Sequence, residues 1–266
     1  MAGEIAAYAV EAFNTAKQSE NKMHDDSVAR RFGFAGGLVP GVEVLAYMVH
    51  QPVKRWGRAF LERGLIEARF IKPVYDGEIA EVVAGETGEG LSLEVTSQGQ
   101  LCAIGSASLP AVAPDVALAD YREVPPAAVR SPVNAESFAP GSWLGTAPRA
   151  WPGPAAKVYL SEIRERDPIY ASEWIGHPGM LQRVMNRLLV DNVILGPWIH
   201  VGSRMQLLSV IEETDEITAR GRVVANYEKK GHRFVELDAM VVANGDRPLA
   251  HCHHVAIYQP RALAAA

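Results

Sequence analysis

The chain has 266 residues, of which 48% are hydrophobic and 21% charged, and its 26 Lys and Arg against 31 Asp and Glu give a formal net charge of −5. This composition provides enough apolar side chains for a large buried core and excludes wholesale disorder and a fibrous repeat. The excess of acidic residues argues against a nucleic-acid partner.

The amino-terminal residues 1–16 include Glu4 and Glu11 and have no basic segment ahead of an apolar stretch. We therefore expect neither a signal peptide nor a membrane span, and no membrane partner. Cys102 and Cys252 are far apart and form no CxxC pair, which favours neither a disulfide framework nor a zinc site. Together these features predict a cytoplasmic protein that holds no metal.

Two segments predict core helices, one after Gly41 and one after Gly179, because apolar residues recur there at helical spacing. We expect the first helix to end or kink at Pro52. The first set consists of Val42, Leu45, Ala46 and Val49, and the second of Met180, Leu181, Val184, Met185, Leu188 and Leu189.

Strand-like runs follow each helix. Residues 79–84, 91–96, 217–224 and 234–242 are enriched in β-branched residues and are bounded by turns that contain Gly or Asn-Gly. This pattern predicts an antiparallel meander after each of the two helices.

Proline marks the boundary between the halves, since nine of the 17 prolines lie within residues 110–154. Such a stretch cannot form central strands or continue a helix. Because it also contains Phe138, Trp143 and Trp151, we expect an ordered linker that lies over the surface. The chain therefore divides into an amino-terminal unit (1–110), a Pro-rich linker (111–154) and a carboxy-terminal unit (155–266).

The two units share their spacing. Gly41 lies 37 positions before Glu78, and Gly179 lies 37 positions before Glu216, so an offset of 138 superposes helix on helix and turn on turn. We interpret this as an internal duplication. It predicts an α+β architecture in which two central helices are wrapped by antiparallel sheets that join edge to edge.

The segment 21–41 resembles the active-site segment of the MaoC-like (R)-specific enoyl-CoA hydratases. The matching positions are Asn21, His24, Ala29, Gly33, Phe34 and Gly41, and residues 67–78 resemble the strand and turn that follow the central helix in that family. The resemblance implies a tandem, or double, hot-dog fold.

The resemblance also implies a hydratase or dehydratase that acts on an α,β-unsaturated or 3-hydroxy acyl thioester, CoA-linked or carrier-bound. Coenzyme A is then part of the substrate, and no separate cofactor is expected. In the family an Asp and a His hold one water, and here their places hold Ser19 and His24. Serine cannot accept a proton as a carboxylate does, so Glu20, Asp25 or Asp26 is the alternative second group.

The second unit resembles the helix entry of polyketide-synthase dehydratase domains at His177-Pro178. The polar positions of that pattern are occupied here by Gln182 and Asn186, whose spacing puts both amides on one helix face. There we expect them either to bind a ligand or to form hydrogen bonds within the core. The catalytic histidine of those domains corresponds to Arg31 here.

Three further residues are candidates for contact with substrate. The N–H groups of Gly41 and Val42 open a helix and are placed to bind a thioester carbonyl, although a glycine there can also serve close packing. Asn21 is a candidate for binding substrate or for fixing the loop by bonds to the backbone.

Two clusters permit a second interpretation. In the run 251–254, His-Cys-His-His, strand alternation leaves no more than two ligands on one face, which disfavours a metal site. The basic residues Lys54, Arg55, Arg58 and Arg63 fit a solvated helix face or a contact with the phosphates of coenzyme A.

The missing carboxylate keeps other functions open. A thioesterase, an isomerase or a cyclase needs only one base and is compatible with His24 alone, and a non-catalytic subunit that binds acyl thioesters needs none. Ser19 separates these hypotheses, because it weakens hydration most. The sequence does not determine the oligomeric state, and a homodimer is one of the open alternatives.

Overall fold

The computed structural model describes residues 5–112, 114–134, 136–151 and 153–261. In this part of the chain the α-helices are α1 (Asp26–Arg31), α2 (Gly41–Trp56), α3 (Arg58–Arg63), α4 (Gly153–Glu162), α5 (Ile169–Ser172) and α6 (Gly179–Val190). Short 3-10 helices span Lys22–His24 and Leu118–Asp120. No helix among these residues combines the length and the apolar character that a membrane crossing demands.

The strands of the first half are β1 (Tyr8–Glu11), β2 (Leu65–Phe70), β3 (Ile79–Thr87), β4 (Gly90–Ser97) and β5 (Gln100–Ser108). The later strands are β6 (Ser131–Pro132), β7 (Trp143–Gly145), β8 (Arg149–Ala150), β9 (Ile175–Gly176), β10 (Val193–Ile194), β11 (Ile199–Leu207), β12 (Ile211–Glu212), β13 (Glu216–Lys229), β14 (His232–Ala243) and β15 (Arg247–Gln259).

One sheet of 11 strands joins the two halves, in the order β1-β3-β4-β5-β2-β11-β15-β14-β13-β7, with β8 paired to β13. The junction is the antiparallel pair β2–β11, whose register runs from Leu65 opposite Gln206 to Arg69 opposite Gly202. The predicted edge-to-edge union of two sheets is confirmed, and with it the double hot-dog fold.

The two central helices pack against each other under this sheet. Both begin at the predicted glycines, Gly41 and Gly179, and bury their apolar faces in one continuous core. The prediction that the first helix ends at Pro52 is wrong, because α2 continues to Trp56. Proline removes one hydrogen bond and crowds the preceding turn, but Pro52 itself lies in the buried face, and that packing stabilises the helix.

Tight turns set the register of the long strands. Lys230 and Gly231 join β13 to β14 with φ values of 54° and 78°, and Asn244, Gly245 and Asp246 join β14 to β15, the first two with φ values of 55° and 83°. Positive φ at both residues of the β13–β14 turn matches the twist of a two-residue hairpin.

The Pro-rich segment contributes to the second half of the sheet. β7 pairs with residues 220–222 of β13, and β8 pairs with residues 216–217. Phe138 and Trp151 are buried in the core, so the segment is packed and not a solvated tether. The division of the chain at residues 110 and 154 stays a prediction, since the sheet and the core run across both halves.

Candidate active site

His24 ends a 3-10 turn that lies between β1 and α2. Asn21 caps this turn, because its Oδ1 accepts a hydrogen bond from Met23 N–H at 3.2 Å. The His24 carbonyl accepts from Asn14 Nδ2 at 2.9 Å, and Asp25 caps the following helix α1 through Ser27 N–H. The backbone on both sides of the imidazole is therefore fixed by local side chains.

The protonation of His24 follows from its two partners. Nδ1 lies 2.7 Å from the carbonyl oxygen of Leu38, which can only accept, so the proton is on Nδ1. Nε2 then carries the lone pair and accepts from Asn21 Nδ2 at 3.2 Å. Burial lowers the pKa of His24, and the bond to Leu38 opposes this. The neutral imidazole is thus a proton acceptor at Nε2.

The Asn21 amide connects the His24 turn to the second half of the chain. Nδ2 also donates to Trp198 O at 3.0 Å, and Oδ1 accepts from Trp198 N–H at 3.1 Å. Both amide hydrogens and the oxygen are therefore engaged within the protein. Asn21 positions His24 and Trp198, and its predicted contact with substrate would require breaking one of these bonds.

A cavity of about 250 Å³ opens beside the imidazole, and we call it the His24 cavity. Its walls are mostly apolar, and no Asp or Glu lines it among the described residues. Its polar lining side chains are Asn21, His24, Lys72, Asn186, His200 and His232. An adjoining cavity of about 500 Å³ shares Asn21, His24, Pro40, Asn186 and Trp198 with it. His24 therefore borders both cavities.

The start of α2 lies at the same place. Pro40 O accepts from the N–H groups of Glu43 and Val44 at 2.9 and 3.2 Å, so the helical N–H groups of Gly41 and Val42 are the ones without a partner in the described structure. Gly41 lines the His24 cavity and Val42 lines the adjoining cavity. A Cβ at Gly41 would lie 3.0 Å from His200 Nδ1 and 3.1 Å from the Phe70 ring. The glycine thus keeps the space at the helix start open.

Ser19 lies near His24 but on the other side of the turn. Its hydroxyl donates to Asn21 O at 3.3 Å, and the residue lines only the adjoining cavity. Position 19 therefore contributes no side chain to the His24 cavity.

The neighbouring carboxylates have structural roles. Glu20 pairs with Arg130 at 2.9 Å, and Asp25 accepts the first N–H groups of α1. Asp26 accepts from Gly37 N–H at 2.7 Å. None of the three lines the His24 cavity. Glu20 does line the adjoining cavity, which His24 also borders, so its service as the second group stays a prediction, whereas Asp25 and Asp26 line neither cavity.

Glu43 is a buried carboxylate that the sequence interpretation missed. It lines the adjoining cavity, where Oε1 accepts from Thr15 Oγ1 at 3.0 Å and from Arg183 Nε at 2.8 Å. Oε2 is buried without a partner among the described residues. Burial raises the pKa of Glu43, against the opposing effect of Arg183. The sequence offered one indication of a buried carboxylate here, namely that Glu43 lies two positions after Gly41 among the apolar residues of the predicted helix.

The two amides of α6 separate in the structure. Gln182 is fully buried with Nε2 3.4 Å from Met205 Sδ, and it lines neither cavity. Asn186, one turn later, lines both cavities. The predicted substrate contact is therefore compatible with Asn186 and not with Gln182, because the Gln182 side chain lies against Met205 of β11 and Cys252 of β15.

His200 is a second histidine of the His24 cavity and was not predicted. Nε2 lies 3.1 Å from Gly202 O and 2.8 Å from Ser203 Oγ, and Ser203 Oγ lies 2.9 Å from His254 Nδ1. Since Gly202 O can only accept, Nε2 bears the proton and Nδ1 is a buried acceptor without a partner among the described residues. Burial lowers the pKa of His200 to about 3. This histidine stays neutral.

The equivalent place in the second unit is filled by the chain itself. The Tyr159 hydroxyl lies against the start of α6, where a Cβ at Gly179 would overlap it. His177 is buried and its Nδ1 accepts from Gly179 N–H at 3.0 Å. Arg31, which corresponds to the catalytic histidine of the polyketide-synthase pattern, is exposed on α1. Among the described residues, the Tyr159 phenol therefore fills the space at the start of α6 that corresponds to the open space at Gly41.

The remaining clusters lie elsewhere. His251 and His253 pair with Asp238 and Glu236 at 2.5 and 3.1 Å, while His254 is buried on the other face of β15. No group of three or more His, Cys, Asp or Glu side chains in the described ranges is arranged to hold a metal ion.

The basic residues at 54–63 lie at the carboxyl end of α2 and just beyond it, away from Gly41 at its start. Lys54 pairs with Asp167, Arg55 with Glu86, and Arg58 with Glu62 and Glu173. Arg63 donates to Pro110 O. Their interpretation as a contact for coenzyme A phosphates is not supported by this placement.

Comparisons with known proteins support the fold. A protein of Mycobacterium tuberculosis described as having a double hot-dog fold is similar to this chain with 14% identity and a TM-score of 0.63, covering 96% of both chains. A protein of Chloroflexus aurantiacus described as a MaoC-domain dehydratase has 10% identity and a TM-score of 0.61, covering 97% of this chain and 96% of its own. The fold is thus one that MaoC-like dehydratases share along nearly the whole chain.

A protein of Novosphingobium aromaticivorans described as a thioesterase also has this architecture, with 11% identity, a TM-score of 0.53 and 96% of both chains covered. No protein-family profile and no curated protein matches the sequence. The neighbours therefore establish the fold, and their descriptions name more than one kind of enzyme.

Proposed function

We propose that the protein is a hydratase or dehydratase that adds water to, or removes it from, an α,β-unsaturated or 3-hydroxy acyl thioester. The observation that supports this is that an imidazole acceptor, His24 Nε2, and the start of α2 at Gly41 border one apolar cavity. An apolar cavity with a few convergent polar groups suits an acyl chain that ends in a reactive carbonyl group.

In the hydration direction a water molecule replaces the Asn21 Nδ2–H group at His24 Nε2. Nε2 then takes a proton from this water while the water oxygen bonds to C3 of the enoyl group. The electrons of the double bond move toward the thioester, and the resulting enolate oxygen accepts from the free N–H groups at the start of α2. The imidazolium then returns its proton to C2, so that one base serves both steps. The bond from His24 Nδ1–H to Leu38 holds the ring in the required tautomer.

Asn186 and Trp198 complete the site from the second unit. Both line the two cavities on either side of His24. We propose that Asn186 orients the bound water or thioester through its amide, since its Oδ1 has no partner among the described residues. Trp198 provides apolar surface next to the imidazole and limits access of bulk water.

A thioesterase is the second candidate, and one observation favours it. No carboxylate lines the His24 cavity in the described structure, so a reaction with a single base fits without a further group. In that reaction His24 activates water for attack on the thioester carbonyl, and the thiol leaves. The same carbonyl site at Gly41 serves both reactions.

Product analysis distinguishes the candidates. Incubation with a series of trans-2-enoyl-CoA substrates gives a 3-hydroxyacyl-CoA if the protein is a hydratase, and free thiol if it is a thioesterase. Chromatography with mass detection identifies both products in one experiment. Binding of the substrates without either product would contradict both enzyme functions and favour a subunit that only binds acyl thioesters.

A further inference from the structure

A groove of about 630 Å³ on the outer face of the sheet adjoins the His24 cavity. It crosses the strand order from β2 to β13, over the junction between the two halves. Phe70, Val201, His232 and Ile257 line both the groove and the His24 cavity. A ligand that lies in the groove can therefore extend past these four residues toward His24.

Four cations without carboxylate partners among the described residues line this groove, and we call it the cationic groove. They are the exposed side chains of Arg69, Arg204, Lys229 and Lys230. Two carboxylates, Glu67 and Glu236, also line it. The groove thus has an excess of positive charge in a chain whose net charge is −5.

The carboxylates do not cancel these cations by direct pairing. Glu236 accepts from Tyr227 OH at 2.8 Å and contacts His253 Nε2 at 3.1 Å. Glu67 lies opposite Arg204 in the β2–β11 register without forming an ion pair. By contrast, the arginines around the adjoining cavity are paired, Arg183 with Glu43 and Arg187 with Asp191. The cations without a carboxylate partner in the described structure therefore line the cationic groove and not the adjoining cavity.

The groove also presents an aromatic surface. The rings of Tyr227 and Phe234 stack in parallel, with centroids 5.2 Å apart and an interplanar angle of 3°. Tyr227 is 38% exposed. A flat, exposed ring next to cations provides a stacking surface for a purine whose phosphates are bound nearby.

We propose that the cationic groove binds the 3′-phosphorylated ADP end of coenzyme A, so that the thioester is carried by CoA and not by an acyl carrier protein. The purine stacks on Tyr227, and the phosphates contact the lysines of the β13–β14 turn and the arginines of the β2–β11 junction. The pantetheine arm passes Phe70 and Val201 into the His24 cavity. The acyl end of this assignment rests on the proposed function, whereas the nucleotide end does not.

The concave shape favours a small molecule over a carrier protein. A nucleotide fits inside a groove of this volume and can reach cations on both of its sides. A carrier protein delivers only the phosphopantetheine arm and would leave the stacking surface and the sites for the 3′-phosphate empty.

Calorimetric titration of the full chain with CoA, dephospho-CoA and 4′-phosphopantetheine tests the proposal without any reaction. We expect CoA to bind about tenfold more tightly than dephospho-CoA, because the 3′-phosphate makes charge-assisted hydrogen bonds. The double variant Lys229→Gln/Lys230→Asn should weaken CoA binding about tenfold and reduce the preference for CoA over dephospho-CoA. Asn suits position 230, where φ is 54°.

The matched control is Arg122→Ala/Lys157→Ala, which removes the same charge from exposed positions that line neither the groove nor the His24 cavity. It should leave CoA affinity within about twofold of wild type. Equal affinities for the three ligands would overturn the proposal, as would variants that weaken binding of a holo-carrier protein and not of CoA. CoA binding with these preferences but without turnover of any enoyl-CoA would contradict only the proposed reaction.

Discussion

Asn21 and Trp198 lie 177 positions apart in the chain, and the Asn21 amide bonds to both backbone groups of Trp198, donating to its O at 3.0 Å and accepting from its N–H at 3.1 Å. The same amide donates to His24 Nε2. One side chain therefore connects the imidazole to the unit that supplies the opposite wall of the cavity.

Replacement of Asn21 by Ala should lower both stability and turnover. It leaves the two backbone groups of Trp198 unpaired, which costs about 1–3 kcal/mol of unfolding free energy, and it frees the His24 ring. Urea unfolding and kcat/KM on the identified thioester measure the two effects. Asn134→Ala, which removes a turn-forming Asn on the surface, is the control and should change turnover little. Unchanged turnover in Asn21→Ala would contradict its positioning role.

His24→Ala should reduce kcat/KM by about 10²–10⁴, the usual contribution of a positioned acid or base. The control is His251→Ala, since His251 pairs with Asp238 on the outer face of the sheet and lines no part of the His24 cavity. A His24→Ala protein that folds normally and retains full activity would show that another group performs the proton transfer.

We expect wild-type hydration of a short enoyl-CoA to be weak, because no carboxylate lines the His24 cavity in the described structure. Ser19→Asp places a carboxylate five positions before His24, in the adjoining cavity that His24 also borders, and should increase hydratase activity measurably. Ser19→Asn has nearly the same shape without the charge and should not. The gain should vanish in Ser19→Asp/His24→Ala. Fast hydration by the wild type would instead indicate that Glu43, across the adjoining cavity, already serves as the second group.

Much of the fold could be predicted from the sequence, because the helical spacing after Gly41 and Gly179 and the common offset are local patterns. His24 and Asn21 were found through a motif. Trp198 and His200 were not, since they follow a turn far along the chain and meet His24 only in the folded sheet. Gln182 and Asn186 show the same limit: their spacing predicted one helix face, but not that Asn186 lines the cavities while Gln182 is buried away from them.

The buried histidines should make the protein sensitive to mild acid. Burial lowers the pKa of His24 and of His254, lowers that of His177 to about 4 and lowers that of His200 to about 3. In the unfolded chain the pKa of a histidine is about 6.5. Below that pH the unfolded state binds more protons than the folded state, so the unfolding free energy falls as the pH falls toward the lower pKa values of the folded state. Above about 6.5 this contribution is fully present.

Urea unfolding between neutral and mildly acidic pH measures the slope of that dependence. His200→Asn removes one of the four buried histidines and should reduce the slope by roughly one proton. His232→Asn is the control, since this half-exposed histidine at the cavity edge has contact with solvent. An unfolding free energy that does not change with pH in this range would contradict neutral, buried imidazoles.

The two helix starts should respond differently to one added methyl group. Gly179→Ala places a Cβ on the Tyr159 hydroxyl and near Ala46, and overpacking of this kind costs about 1–3 kcal/mol of unfolding free energy. Gly41→Ala meets His200 and the Phe70 ring at 3.0–3.2 Å, so we expect a smaller loss of stability but reduced activity, since the methyl group enters the His24 cavity. Thermal unfolding and kcat/KM of both variants test this contrast. Equal losses of stability would contradict it.

The phenol of Tyr159 occupies, at the start of α6, the space that stays open at the start of α2. Both halves retain the helix and sheet of the repeat, but in the described structure only the helix start at Gly41 borders the His24 cavity. We therefore expect one thioester ligand per chain at saturation. The carboxy-terminal unit instead forms the opposing wall of the His24 cavity, to which it contributes Asn186, Trp198 and His200.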